Sequence, residues 1–263
     1  MSIVVNTNIG SLNAQRSLAE SSRELSTAME RLSSGKKINS AADDAAGFAI
    51  AERMTAQVRG LNMATKNAND GLAMLATIEN ATNDVTDMLQ RIRELAVQAA
   101  NDTNGTQDRT YLQTEVDSLV AEINRVSTDT VYNDSVVLDG NLSGSLQVGT
   151  ASGQTIDFAI TSIDTTTLGV DALDFTDATT AATALTAIDS AIETVAGNRA
   201  GYGALSNRLE YTVSNLMNVA EFTTAARSRI EDADFAAESA RLAKAQVLQQ
   251  TGTAMLAQAN ASS

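Results

Sequence analysis

The stretch from residue 61 to residue 100 reads LNMATKNANDGLAMLATIENATNDVTDMLQRIRELAVQAA and has the most regular pattern in the chain. Most of its strongly apolar positions recur every seven residues in two interleaved sets, which are Leu61, Ala68, Leu75, Thr82, Leu89, Ala96 and Ile78, Val85, Ile92, Ala99. Two such sets, three residues apart, lie on one face of an α-helix, as in a coiled coil. The pattern predicts a helix from about residue 44 to about residue 100 with a packing seam along one side.

The same seven-residue spacing returns near the C-terminus, at Ile188, Val195, Tyr202, Leu209, Leu216, Thr223 and Ile230. Two helices of about 50 residues, each about 75 Å long, can run antiparallel along one rod. A shorter amphipathic helix around residues 112–126, after a break at 101–105, is expected to fold back on the first. We predict that the seam of the assembled bundle is formed by Leu61, Leu75, Leu89, Ile92, Val195, Leu209 and Leu216.

Composition supports a helical bundle. The chain has no proline, which removes the main obstacle to long helices, and only 3% of its residues are aromatic. The core must therefore consist of aliphatic residues and alanine, which suit closely spaced helices.

The two ends of the chain carry thinner apolar stripes, rich in alanine, serine and glutamine. Ser33–Gly35 interrupts the first stripe, and Ser40 with Asp43 predicts a capping box that opens the next helix. Because short isolated helices are marginal in water, we expect residues 1 to about 40 and from about 234 onward to be mobile in the monomer and to order between copies. Their packing residues are Leu18, Leu25, Leu32, Leu242, Leu248 and Leu256.

The middle of the chain, about residues 130–178, is rich in Gly, Ser, Thr and Asp. Apolar residues alternate at 146/148 and at 156/158/160 around the turn-like residues 150–153, which predicts a β-hairpin. The predicted fold class is mainly α: a long antiparallel helical rod or coiled-coil bundle formed by both chain ends, with a small β-hairpin region in the middle.

The formal net charge of −14 opposes binding to nucleic acid or to anionic membranes, so neither is an expected partner. No run of eighteen apolar residues exists, and the N-terminus lacks the basic flank of a cleavable signal.

Enzymatic chemistry is not expected, because the chain has no His or Cys. The acidic groups at 43–44 and 231–234 lack the glycine turn and bidentate Glu of a calcium loop, and we interpret them as helix-start carboxylates. No catalytic residue, cofactor or metal site is predicted. A carboxylate hydrolase would need carboxylates that converge in a cleft, and a membrane-inserting translocator would need a strongly apolar segment; the seam offers neither.

Five stretches match motifs of one known protein family in the expected order. They are Asn6–Asn8, Leu32–Gly47 (LSSGKKINSAADDAAG), Asn67–Gly71 (NANDG), Leu89–Gln98 (LQRIRELAVQ) and Ala226–Phe235 (ARSRIEDADF). Along nearly its whole length the chain resembles bacterial flagellin, in a short form without large outer domains. The resemblance implies a secreted subunit that polymerises with itself into the extracellular flagellar filament used for motility. It also implies an export chaperone, the type III export apparatus, and flagellar junction and cap proteins as partners.

The resemblance further implies three regions. Residues 1–43 plus 234–263 would form the inner core of the filament, 44–130 plus 178–233 a helical rod domain, and 131–177 its β-rich outward-facing segment. Flagellins usually continue past residues 255–260 into a short apolar tail; here the chain stops at Ser263, and we expect the given sequence to be clipped.

Two alternatives stay open at the level of sequence. A hook-filament junction protein of the flagellin family shares the terminal helices, although the match at 89–98 and the short middle favour a filament subunit. Positions Arg91, Leu95 and Glu115 match the patch that contacts the vertebrate flagellin-sensing Toll-like receptor, which predicts recognition. The plainer interpretation of Arg91 and its neighbours is a solvated helix face with charge pairs three or four residues apart.

Overall fold

The computed structural model describes residues 8–261. In chain order the elements are helices α1 (Ile9–Ser34), α2 (Ala45–Ala99) and α3 (Thr106–Asp129), strands β1 (Val131–Tyr132), β2 (Ser135–Val136), β3 (Ser143–Gln147) and β4 (Thr155–Ala159), and helices α4 (Thr165–Leu168), α5 (Ala178–Glu231) and α6 (Phe235–Ala261). No helix within the described residues is long and apolar enough to cross a membrane. The chain forms two compact units: a terminal unit, residues 1–59 with 220–263, and a central unit, residues 60–219.

In the terminal unit, α1 and α6 run antiparallel. The Asn8 side chain, at the start of α1, donates to the carbonyl of Ala259, near the end of α6, at 2.8 Å. At the other end of the pair, Arg31 of α1 lies 3.3 Å from Glu238, in the first turn of α6. Helix α1 ends at Ser34, where Gly35 takes the left-handed conformation (φ 71°) that residues with a β-carbon disfavour. The interruption predicted at residues 33–35 is confirmed.

The connection between α1 and α2 corrects one prediction. The Asp43 carboxylate accepts from the backbone N–H of Ser40 at 2.9 Å, as in the predicted capping box. However, α2 begins only at Ala45, and Asp44 caps it by accepting from the N–H groups of Ala46 and Gly47 at 3.1 and 3.0 Å. The prediction that Ser40 opens the helix is wrong, because Ser40 and Asp43 close a separate turn ahead of it.

In the central unit, α2 and α5 run antiparallel. Glu79 and Arg93 of α2 pair with Arg199 and Asp189 of α5, so positions rise along one helix as they fall along the other. Helix α3 follows a break at residues 100–105, which begins one residue before the predicted break at 101–105. The Arg109 side chain closes this break by donating from Nε to the carbonyl of Ala99, the last residue of α2, at 2.8 Å. A cation here also interacts favourably with the helix dipole.

The predicted β-hairpin is confirmed. Strands β3 and β4 pair antiparallel with Leu146 opposite Ile156, and residues 148–154 connect them. A second small hairpin, β1–β2, was not predicted. Its turn residues Asn133 and Asp134 have φ of 49° and 63°, a conformation that Asn and Asp tolerate better than most residues with a β-carbon.

The fold class is therefore confirmed as mainly α, with long antiparallel helices at both chain ends and small hairpins between them. The core of the central unit also takes side chains from the middle segment, of which Val137, Leu138, Ile163, Val170 and Phe175 are fully buried. The predicted division into inner core, rod domain and outward-facing segment describes positions in a polymer. The two compact units of a single chain do not test this division, and the division stays a prediction.

Candidate functional site

The predicted seam residues lie in the core of the central unit. None of the seven is more than 7% exposed; they are Leu61, Leu75, Leu89, Ile92, Val195, Leu209 and Leu216. Their burial accounts for the packing of the helices of this chain against one another. A contact of these residues with a second copy stays a prediction.

The terminal unit is built differently. Five of its six predicted packing residues are only half-buried, and they are Leu18, Leu25, Leu32, Leu242 and Leu256. The sixth, Leu248, is 42% exposed. Among the described residues of this unit, the buried apolar side chains are those of Ala28, Ile38, Ala51 and Ala245. Three of these four are alanines, so the unit buries little apolar surface within one chain.

Large apolar side chains of the terminal unit are exposed instead. Phe222 and Phe235 are each 73% exposed, and the others are Ile9, Leu12, Met29, Phe48, Val247, Leu248 and Met255. Nine of the fifteen exposed large apolar side chains among the described residues thus belong to the smaller, terminal unit, and such an excess is typical of an interaction surface. The seven-residue pattern does not single out Phe222 and Phe235, because neither lies in the seam. All five phenylalanines of the chain stand outside the repeats, and Phe175 is fully buried, so no sequence signal distinguishes the exposed Phe222 and Phe235.

The predicted recognition patch lies on α2 and α3 of the central unit. Arg91 donates from Nε to Glu115 of α3 at 2.9 Å and from Nη1 to Glu94 at 2.9 Å. These hydrogen bonds, first to Glu115 and then to Glu94, raise the pKa of Arg91. Leu95 is 1% exposed and belongs to the hydrophobic core of the central unit. The structure thus brings Arg91 and Glu115 together at the surface and leaves Leu95 inside.

Of the acidic groups interpreted as helix-start carboxylates, Asp44 and Asp234 act as caps, whereas Glu231 and Asp232 lie at the end of α5 and Asp43 closes the turn ahead of α2. Asp234 accepts from the backbone N–H groups of Ala236 and Ala237, in the first turn of α6, at 2.9 and 3.2 Å. Asp44 does the same for α2. Hydrogen bonds from the backbone N–H of Ser40 and then of Asn39 hold the pKa of Asp43 below its ordinary value. Within residues 8–261, no three acidic side chains form a group that could hold a metal ion.

Comparison with known proteins matches both helical regions of the chain. The family described as "Bacterial flagellin N-terminal helical region" matches residues 5–143, and "Bacterial flagellin C-terminal helical region" matches residues 185–263. A flagellin of Halalkalibacterium halodurans is 43% identical over 261 residues, covering 98% of this chain and 96% of that protein. A flagellar filament 33 kDa core protein of Treponema phagedenis is 38% identical over 275 residues, covering 98% and 96%.

Solved structures agree with the fold. The crystal structure of Bacillus cereus flagellin has a TM-score of 0.52 and 29% identity, covering 57% of this chain and 88% of that one. A putative flagellar hook-associated protein from Vibrio parahaemolyticus has a TM-score of 0.63 over 72% of this chain and all of that one. Its identity is only 16%, so this second likeness shows a shared fold alone.

Proposed function

The chain belongs to the bacterial flagellin family and is a structural subunit of the flagellar filament, and from this premise we propose that its terminal unit completes its packing only between copies. The observation that carries the proposal is the contrast between the two units. The central unit buries its apolar seam within one chain, whereas the terminal unit leaves nine large apolar side chains exposed: Ile9, Leu12, Met29, Phe48, Phe222, Phe235, Val247, Leu248 and Met255.

Energetics favour this division of roles. Ordering a residue costs about 1–2 kcal/mol of backbone entropy, and apolar burial returns about 25 cal/mol per Å². Two helices that bury mainly alanines between them gain little within one chain. Neighbouring copies would supply the missing apolar contacts, so that ordering of the terminal helices is coupled to subunit addition. A repeated head-to-tail contact that does not close generates an open helical polymer.

The test is seeded polymerisation of a variant that lacks residues 1–35. We expect this variant to keep the helical content of the central unit by circular dichroism and to form no filaments when fragments of wild-type filaments are added. The full-length chain, purified and seeded in the same way, is the control and should give long uniform tubes by negative-stain electron microscopy. Filaments grown from the truncated chain would refute the coupling.

The same experiment addresses the alternative of a hook-filament junction protein. The relatives that match this chain over nearly its full length are named flagellin and flagellar filament core protein, which favours the filament subunit. A junction protein would add to seeds without extending them into long tubes.

For the remaining partners we propose the roles that family membership suggests. The subunit would be secreted through the flagellar type III apparatus with an export chaperone, would add between junction and cap proteins, and would serve motility without enzymatic activity of its own. Supporting this, relatives of the same length are flagellar filament proteins. Deletion of the gene for this subunit, with loss of filaments and of swimming, would test the motility role.

We also propose that the Arg91–Glu115 pair forms part of a surface recognised by the vertebrate flagellin-sensing Toll-like receptor, with Leu95 as its buried support. Both charged side chains are about half exposed, which leaves them accessible to a partner. Replacing Arg91 and Leu95 by alanine should reduce receptor signalling by the monomer. Arg125, an exposed arginine on α3 with carboxylate partners of its own, provides the matched control for Arg91 as Arg125→Ala, and the buried Leu89→Ala provides the control for Leu95. Unchanged signalling by the Arg91/Leu95 variant would overturn the proposal.

A further inference from the structure

Methionines are the side chains of this chain that peroxides oxidise most readily. The sequence has eight methionines and no cysteine, tryptophan or histidine, so the thioether is its only sulfur group. A peroxide converts a thioether to a sulfoxide, and this replaces a flexible apolar side chain with a polar one. The effect of an oxidant on this protein therefore depends on where the fold places its methionines.

The methionines differ widely in their exposure to solvent. Met74 is 7% exposed, in the core of the central unit. Four others are more than half exposed, and they are Met29 at 56%, Met63 at 56%, Met217 at 59% and Met255 at 63%. Met255 is the most exposed methionine between residues 8 and 261. A peroxide in solution thus reaches its side chain without any opening of the fold.

Met255 lines a groove of about 380 Å³ between α1 and α6 of the terminal unit. Leu248 lies seven residues before Met255, on the same face of α6; it lines the groove as well and is 42% exposed. The other described residues along the groove are small or polar without charge: Gly10, Asn13, Ala14, Ser17, Ser21, Thr251 and Gly252. Two large apolar side chains therefore stand in solvent beside an uncharged groove, on the unit assigned above to contacts between copies.

We propose that Met255 is a site of oxidation by peroxides in the free subunit, and that its sulfoxide opposes addition of the subunit to the filament. The thioether sulfur attacks hydrogen peroxide, and the O–O bond breaks. One oxygen stays on sulfur as the sulfoxide, and the other leaves as water. The inference rests on the proposed packing of the terminal unit between copies, because a second copy is the partner that covers Met255.

Assembly and oxidation then exclude each other at this position. A second copy that packs on Met255 shields the thioether from peroxide. A subunit that is oxidised before addition instead brings a polar group into an apolar contact, which is unfavourable when that group finds no hydrogen-bond donor there. Methionine sulfoxide reductases return a sulfoxide to the thioether. The modification is therefore a reversible block that acts on free subunits.

The first test compares the rate of oxidation in two states of the full chain. Free subunits and seeded filaments receive the same concentration of hydrogen peroxide, and mass spectrometry of peptides measures the gain of one oxygen at each methionine. Met255 should react at least about tenfold faster in free subunits than in filaments, whereas the buried Met74 should react slowly in both. Equal rates at Met255 in the two states would overturn the proposal.

The second test measures assembly after oxidation. Met255→Leu removes the sulfur and keeps an apolar side chain of similar volume, so without peroxide it should stay within about twofold of the critical concentration of wild type. Met217→Leu is the matched control, because Met217 is similarly exposed but belongs to the central unit.

After peroxide treatment of free subunits, the critical concentration for seeded growth should rise about tenfold for wild type and Met217→Leu, and less than about twofold for Met255→Leu. Methionine sulfoxide reductase with a thiol reductant should restore growth of the treated wild type. Equal losses in the two treated variants would overturn the proposal. Failure of the untreated wild-type chain to polymerise would refute the proposed role of the terminal unit in assembly instead.

Discussion

Arg199 of α5 donates two hydrogen bonds to a single carboxylate oxygen of Glu79 on α2, from Nε at 3.0 Å and from Nη2 at 2.6 Å. The pair joins residues 120 positions apart and fixes how far α5 is shifted along α2. The apolar seam alone would tolerate a slip of seven residues, since its spacing repeats. A charged pair at one position does not tolerate that slip.

We therefore predict a modest but specific coupling between these two side chains. Both are partly exposed, so solvent screens the pair, and a double-mutant cycle of Arg199→Ala and Glu79→Ala should give a coupling of about 0.5–1 kcal/mol in the free energy of unfolding. Urea unfolding followed by circular dichroism measures it. The coupling should weaken in 1 M salt, and Arg199→Lys should retain only part of it, because lysine cannot reproduce the two-donor geometry. A coupling indistinguishable from zero at low salt would contradict the assignment.

The two classes of leucine predicted from the sequence should lose different amounts of stability on truncation. Leu89 is fully buried in the seam, and Leu89→Ala should lower the free energy of unfolding by about 2–5 kcal/mol. Leu248 is 42% exposed on α6, and Leu248→Ala should cost the monomer less than about 1 kcal/mol. Thermal or urea unfolding of the two variants side by side tests the contrast. Equal losses would mean that the terminal helices are as well packed in the monomer as the central unit.

Sequence periodicity predicted the long helices because Leu61 to Ala99 repeats a local pattern that one helix face must bury. It also predicted β3 and β4, since alternation at 156, 158 and 160 is a local signal. It could not place Val137, Ile163 and Phe175, which lie in irregular segments and reach the core only through the tertiary fold. The Arg31–Glu238 contact joins residues 207 apart, so no local sequence pattern predicts it. The match to the receptor patch does not predict the burial of Leu95, because the neighbours that cover its side chain come from the tertiary fold.

Glycines inside the helices should differ in what they tolerate. Around Gly201 of α5, a β-carbon would meet nothing within 4 Å, so Gly201→Ala should stabilise the chain by about 0.5–1 kcal/mol through helix propensity. At Gly71 of α2, a β-carbon would contact Cδ1 of Leu146, in β3, and Gly71→Ala should gain nothing or destabilise. The measurement is the melting temperature of each variant. A gain at Gly71 equal to that at Gly201 would show that the hairpin does not approach α2 so closely.

Acid should weaken one cap in the middle segment. Hydrogen bonds from the hydroxyl and the backbone N–H of Thr167 hold the pKa of Asp164 below its ordinary value. A depressed carboxylate pKa stabilises the fold above the unfolded-state pKa of about 3.9, and the contribution is lost as pH falls through the folded-state value. Asp164→Ala should therefore cost about 1 kcal/mol at pH 7 and progressively less below about pH 4. A cost that is the same at pH 7 and pH 3 would show that the charge of Asp164 contributes nothing.

Phe235 separates folding from assembly most sharply. It opens α6, is 73% exposed, and follows directly on Asp234, whose carboxylate caps the helix. Phe235→Ala keeps that cap and removes no packing from the monomer core, so the free energy of unfolding of the monomer should change by less than about 0.5 kcal/mol. If neighbouring copies bury the ring, its loss should cost about 2–3 kcal/mol per subunit and raise the critical concentration for seeded growth roughly 30- to 150-fold.

Tyr211, 79% exposed on the part of α5 that belongs to the central unit, serves as the matched aromatic control as Tyr211→Ala. A Phe235 variant that polymerises like wild type would exclude this ring from the interface between copies, whereas a variant that unfolds easily would show that α6 depends on it within one chain.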